Sequence, residues 1–124
     1  MKKVAGKGLG FVVAAVLLFA FAQQVGAYCV HNQSDATMHV VQYMNRSFWK
    51  PFNVHISPGQ QSCCSWTEKD CNKSGGATDT VGFNVDSYGV SDRFINVCNY
   101  VTIPANGDLY IKGSKDVYSC SQNP

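Results

Sequence analysis

All six cysteines, Cys29, Cys63, Cys64, Cys71, Cys98 and Cys120, follow position 27, an even number within fewer than a hundred residues. A short exported chain of this kind is stapled by disulfides, because so small a core buries too little apolar surface to hold a fold alone. Three bridges are therefore expected. A bond between the neighbours Cys63 and Cys64 would strain the peptide between them. On an extended strand the two point to opposite faces. One is expected to bridge Cys71 across a short loop, the other to reach Cys29 through the core, and Cys98 to join Cys120. Zinc competes for such residues, but a Cys-Cys-x6-Cys spacing lacks the usual C-x(2–4)-C ligand pair, and export favours oxidation.

Export is read from the N-terminus. Lys2, Lys3 and Lys7 precede an unbroken apolar stretch from Phe11 to Ala22, and Val25-Gly26-Ala27 supplies a small-residue cleavage site. This is the pattern of a signal peptide over residues 1–27, with the secreted domain at 28–124. The apolar run is too short to cross a bilayer, which takes about 20 residues, so no stable membrane span is expected after cleavage. The leader also holds three of the ten basic residues, which leaves seven against eight acids and a mature charge of −1. Such a chain has no clustered cations with which to hold nucleic acid.

Residue usage sets the fold class. Beyond residue 27 there are one Leu, three Ala and one Glu, but ten Val, four Ile and twelve aromatics. Helix formers are scarce and strand formers abundant. Apolar and polar residues alternate over Met38–Tyr43, Phe52–Ile56, Val81–Asp86, Phe94–Cys98 and Leu109–Lys112, with Pro, Gly, Asn and Ser between them. The pattern predicts an all-β fold: a compact antiparallel β-sandwich of seven or eight strands, or alternatively a small β-barrel, in one disulfide-linked domain.

Candidate sites are few. His31, His39 and His55 fall on the polar faces of strands, where solvated side chains are the ordinary outcome and convergence of two or three would bind a metal. With no nucleophile motif and a single Glu, the chain offers no recognisable acid, base or nucleophile, and no enzyme activity or cofactor is expected. Asp70, Asn72, Ser74 and Asp79 make a partial match to a calcium loop, with Val81 where the bidentate Glu belongs. Sequons at Asn32, Asn45 and Asn72 mark N-glycan acceptors if exposed, Asn45 and Asn72 falling in loops. Phe48 and Trp49, with Trp66 beyond the double cysteine, are the expected binding residues, because an aromatic ring at a loop tip stacks on sugar or enters a membrane interface.

Around Cys63-Cys64-Ser65-Trp66, Asp70-Cys71, Val81-Gly82-Phe83-Asn84-Val85 and Tyr88-Gly89-Val90, the sequence resembles small secreted cysteine-rich proteins of early-diverging, mucoromycete-type fungi. The resemblance implies export and a small β-domain, and it brings no activity. A strand ending in Asn-x-Ser, then Ile-x-Pro-Gly before a cysteine, is loosely similar to aegerolysin-type β-sandwiches, which act on membrane lipids. The expectation is a secreted, extracellular, non-enzymatic protein that binds a carbohydrate, lipid or host protein surface. Its rivals are an aegerolysin-like membrane-active protein and a small enzyme or enzyme inhibitor.

Overall fold

A computed structural model describes residues 26–124. The expected leader falls outside the described residues except for Gly26 and Ala27, and the expected cleavage point after Ala27 lies one residue inside the first strand. Eight strands follow: β1 (Ala27–Ser34), β2 (Met38–Met44), β3 (Asn53–Ile56), β4 (Gln61–Ser65), β5 (Thr80–Ser87), β6 (Ile95–Pro104), β7 (Asp108–Ser114) and β8 (Val117–Ser121). They form two four-stranded sheets in the orders β4-β1-β7-β8 and β3-β2-β5-β6. The sheets pack as an open sandwich, as the β-rich composition predicts, and do not close into a barrel. One pairing, β1 with β7, is parallel and the others are antiparallel. Among the described residues no helix is long and apolar enough to cross a membrane.

Strand alternation builds the core. Tyr28 and Val30 of β1, Met38 and Val40 of β2, Val81, Phe83 and Val85 of β5, and Leu109 and Ile111 of β7 point between the sheets and are fully or almost fully buried. The rings of Tyr28, Phe52 and Phe83 meet edge to face at 5.2–5.9 Å, the arrangement aromatic quadrupoles favour. Burying each of these large side chains stabilises the fold by roughly 1.5–3 kcal/mol.

Polar groups inside the sandwich are matched. Asn32, almost fully buried, donates to the carbonyls of Ala36 and Ile56, both at 2.8 Å, and accepts from the Ser34 backbone and hydroxyl. It thereby ties β1 to β3 in the other sheet.

The disulfides are Cys29–Cys63, Cys64–Cys71 and Cys98–Cys120, which is the expected pairing. The expected path of the first is corrected. Cys29 and Cys63 are register partners on β1 and β4, and the residues flanking Cys29, Tyr28 and Val30, are the ones that face the core. Alternation therefore turns Cys29 to the outer face of the sheet, and the bridge does not pass through the core. Cys64, pointing the other way, packs on the core with its partner Cys71. Cys98–Cys120 joins β6 to β8 and so links the two sheets.

Candidate functional site

Register lays out the outer face of the sheet β3-β2-β5-β6. His55 lies opposite His39, His39 opposite Asp86, and Asp86 opposite Asn96, so a row of planar polar side chains crosses four strands. The next row outward holds Asn53, Val41 and Asn84. His39, His55 and Asp86, together with Thr37, Ser87, Tyr88, Gly89 and Phe94, line a cavity of about 390 Å³ at one end of this face.

The hydrogen bonds within the row are specific. The rings of His39 and His55 stack with centroids 4.5 Å apart and planes 13° from parallel. Nδ1 of His39 lies 3.3 Å from Oδ1 of Asp86, and its Nε2 lies 2.7 Å from Oδ1 of Asn53. A carboxylate only accepts, so the Asp86 contact places a proton on Nδ1. A histidine–aspartate pair beside a serine invites comparison with a nucleophilic triad, but Ser87 does not serve. Its hydroxyl donates to the Thr37 carbonyl at 2.7 Å and accepts from the Gly89 amide, and the residue is buried.

Aromatic rings stand at both ends of the face. At the cavity end Tyr88 and Phe94 are 63% and 60% exposed and meet edge to face at 5.9 Å. At the other end Tyr43 packs edge to face on the exposed Tyr100 at 5.1 Å. Gly82 makes room for Tyr43: a Cβ there would come within 2.6 Å of its ring. From Gly82 to Ser87 this face runs along about 17 Å of extended strand.

The loop carrying Tyr88 and Phe94 is gripped by the β7–β8 hairpin. Oδ1 of Asp116 accepts from the Val90 amide at 2.9 Å, and its other oxygen accepts from the Ser91 hydroxyl. These hydrogen bonds, that of Ser91 first, hold the Asp116 carboxyl below the ordinary carboxylate range. Asp35 in the β1–β2 turn accepts from the Lys115 amide at 2.9 Å and from the Tyr118 hydroxyl at 2.7 Å, which lowers its pKa likewise. The turn that supports the aromatic loop is thus itself anchored.

Sequence-predicted residues fall elsewhere. Phe48 and Trp49, 76% and 89% exposed, form an edge-to-face pair in the β2–β3 loop between Arg46 and Lys50. Trp66, after β4, packs half-buried against the core and does not stand free as they do. The partial calcium loop is organised around Asn45 instead of an ion. Oδ1 of Asn72 accepts from the Asn45 amide, Ser74 donates to Oδ1 of Asn45 at 2.9 Å, and Asp79 accepts from the Gly76 amide at 2.7 Å. Of its four candidate residues, only the exposed Asp70 is left out of these bonds. Asn45 takes the left-handed conformation, φ 59°, that Asn tolerates better than most residues.

The sequons divide differently from expectation. Asn32 and Asn72 are buried, and their amide nitrogens donate to backbone carbonyls. A glycan on either is incompatible with this fold. Loop position does not imply exposure when the side chain is what closes the loop. Asn45 is partly exposed, but its amide nitrogen donates to Asn72.

Tyr88, Phe94 and Asp86, like the pairing of His39 with His55, were not singled out as a site by sequence reasoning. The available signal was alternation, which puts His39, His55 and Asp86 on polar faces; which strands neighbour one another was not legible from it. No protein-family model, curated protein or solved structure matches the chain.

Proposed function

We propose that the protein is a secreted, non-enzymatic binding domain whose outer β3-β2-β5-β6 face recognises a carbohydrate. The observation that carries this reading is the exposed pair Tyr88–Phe94 at the rim of a cavity walled by His39, His55 and Asp86. Sugars present apolar C–H faces that stack on aromatic rings and hydroxyls that need fixed donors and acceptors, and this face offers both. Secretion is supported by the leader pattern and by three disulfides, which persist in oxidising compartments. The engaged Ser87 and the absence of a nucleophile motif favour binding over catalysis.

The test is calorimetric or NMR titration with neutral oligosaccharides, comparing the native chain with Tyr88→Ala and Phe94→Ala. Saturable binding weakened at least tenfold by either substitution is expected. Binding unchanged in both variants, or none to a broad glycan panel, overturns the reading.

A second reading rests on the Phe48–Trp49 loop. Two exposed aromatics flanked by Arg46 and Lys50 fit a bilayer interface, where rings sit at the headgroup level and cations reach anionic lipid.

A further inference from the structure

We infer that His39 and His55 form a site for a divalent transition metal, each giving one ring nitrogen, with Asp86 orienting His39. Antiparallel register sets the two residues directly opposite each other on β2 and β3, and both side chains point outward. Their rings are stacked 4.5 Å apart and 13° from parallel, so the side chains are already neighbours. Tilting the rings out of the stack aims their in-plane lone pairs at one ion, with the nitrogens about 3 Å apart as two ligands at about 2.0–2.1 Å require. Neutral imidazole is the ligand form, and imidazole suits zinc, copper and nickel.

His39 is arranged as a ligand needs to be. Its Nδ1–H points at the Asp86 carboxylate, which fixes the tautomer and leaves the Nε2 lone pair available. Nε2 lies 2.7 Å from Oδ1 of Asn53, itself an acceptor, so in the neutral ring the Asn53 amide turns its NH2 toward that lone pair; it is a neutral group that an ion can displace. The cavity beside the pair leaves room for water or a bound hydroxyl to complete the coordination.

The third histidine is an internal control. His31 lies on the opposite sheet, stacked on Tyr110 and 2.9 Å from Asp108. Cys29, the third potential ligand there, has its sulfur committed to Cys63. That cluster offers one imidazole and one carboxylate, a poorer donor set for these metals than two imidazoles.

The experiment is calorimetric titration of the disulfide-intact domain with CuCl2, NiCl2, ZnCl2 and CaCl2 without any sugar, so that its result is independent of the carbohydrate reading. One ion per chain is expected, copper bound most tightly and calcium not at all. His39→Ala or His55→Ala should each weaken binding at least tenfold, Asp86→Asn about 10–100-fold, and His31→Ala not measurably. On the native chain, zinc should shift the His39 and His55 imidazole proton resonances and leave those of His31 in place, a readout that needs no variant. Binding that survives both His39→Ala and His55→Ala, resonance shifts confined to His31, or no binding at millimolar metal overturns the proposal.

Discussion

The hydroxyl of Tyr28 donates to Oε1 of Gln42 across the buried core at 3.0 Å, joining β1 of one sheet to β2 of the other. Gln42 is fully buried, and its amide nitrogen donates to the carbonyls of Met44, Asn45 and Cys71. Tyr28→Phe keeps the ring packing and strips Oε1 of the Tyr28 donor, which should cost about 1–3 kcal/mol in urea unfolding. Burial also holds the Tyr28 hydroxyl well above its ordinary pKa. Its contribution is therefore intact below about pH 10 and declines as pH climbs toward the folded value. The alkaline fall in Tm should be shallower in Tyr28→Phe; an unchanged profile and midpoint would remove this hydrogen bond from the account of stability.

Cys98–Cys120 is the one bridge of the three that links the sheets, and it closes a loop across 22 residues. Replacing both with Ala should cost about 3 kcal/mol from lost chain constraint. Equilibrium unfolding in guanidinium reports it, and a midpoint equal to that of the native chain would show that noncovalent packing alone holds the sheets together.

Much of the fold was legible because it follows from periodicity. Val40, Val85 and Ile111 declare an inward face by alternating with polar neighbours, and strands β2, β3 and β5 stand close to where that pattern puts them. The β7–β8 hairpin was hidden: its turn is Lys115-Asp116, outside the Asn-Gly vocabulary that announces such turns. The parallel pairing of β1 with β7 is a long-range choice that no local pattern encodes. The candidate site was hidden for the same reason, since Asp86 and His55 flank His39 only after β2 is placed between β5 and β3. Exposure at Trp49 and burial at Asn72 were likewise tertiary outcomes.

The grip of Asp116 on the loop of Tyr88 and Phe94 makes the site acid-sensitive. Its carboxyl has a lowered folded pKa, so the stabilisation is present above the ordinary Asp value of about 3.9 and is lost as pH falls through the folded value. Asp35, also lowered, adds to the same acid limb by clamping the hairpin. In Asp116→Asn and Asp35→Asn the Tm should depend less on pH below about 4. Thermal melts across pH 2 to 6, buffered at about constant ionic strength, check this. A native-like acid slope in both variants would count against the clamp.

Lys115 and Asp116 occupy the two central positions of the hairpin with φ of 52° and 67°. Left-handed geometry costs an ordinary side chain roughly 1–2 kcal/mol, less for Asn. Asp116 must stay, because it holds Val90 and Ser91. Lys115 contributes its backbone amide to Asp35, and its side chain is exposed. Lys115→Asn should therefore stabilise the domain by about 0.5–1 kcal/mol, read as a higher denaturant midpoint; a lower midpoint would mean the lysine side chain has a role that its exposure conceals.

The Phe48–Trp49 loop tests whether this surface meets lipid. A ring at the tip of a loop gains free energy on leaving water for the headgroup region, and adjacent Arg46 and Lys50 add attraction only if the lipid is anionic. Binding to vesicles containing phosphatidylserine should therefore exceed binding to phosphatidylcholine vesicles, fall with added salt, and shift Trp fluorescence to the blue. Trp66 is already half-buried against the core, so the shift should come from Trp49. Trp49→Ala should abolish the shift and weaken sedimentation with vesicles about tenfold, the loss of one interfacial aromatic side chain worth about 1.4 kcal/mol. Tyr88→Ala, at the opposite end of the same sheet, should leave vesicle binding unchanged. Equal sedimentation of the native chain and Trp49→Ala would remove lipid from the reading and leave only the proposed carbohydrate face to be tested.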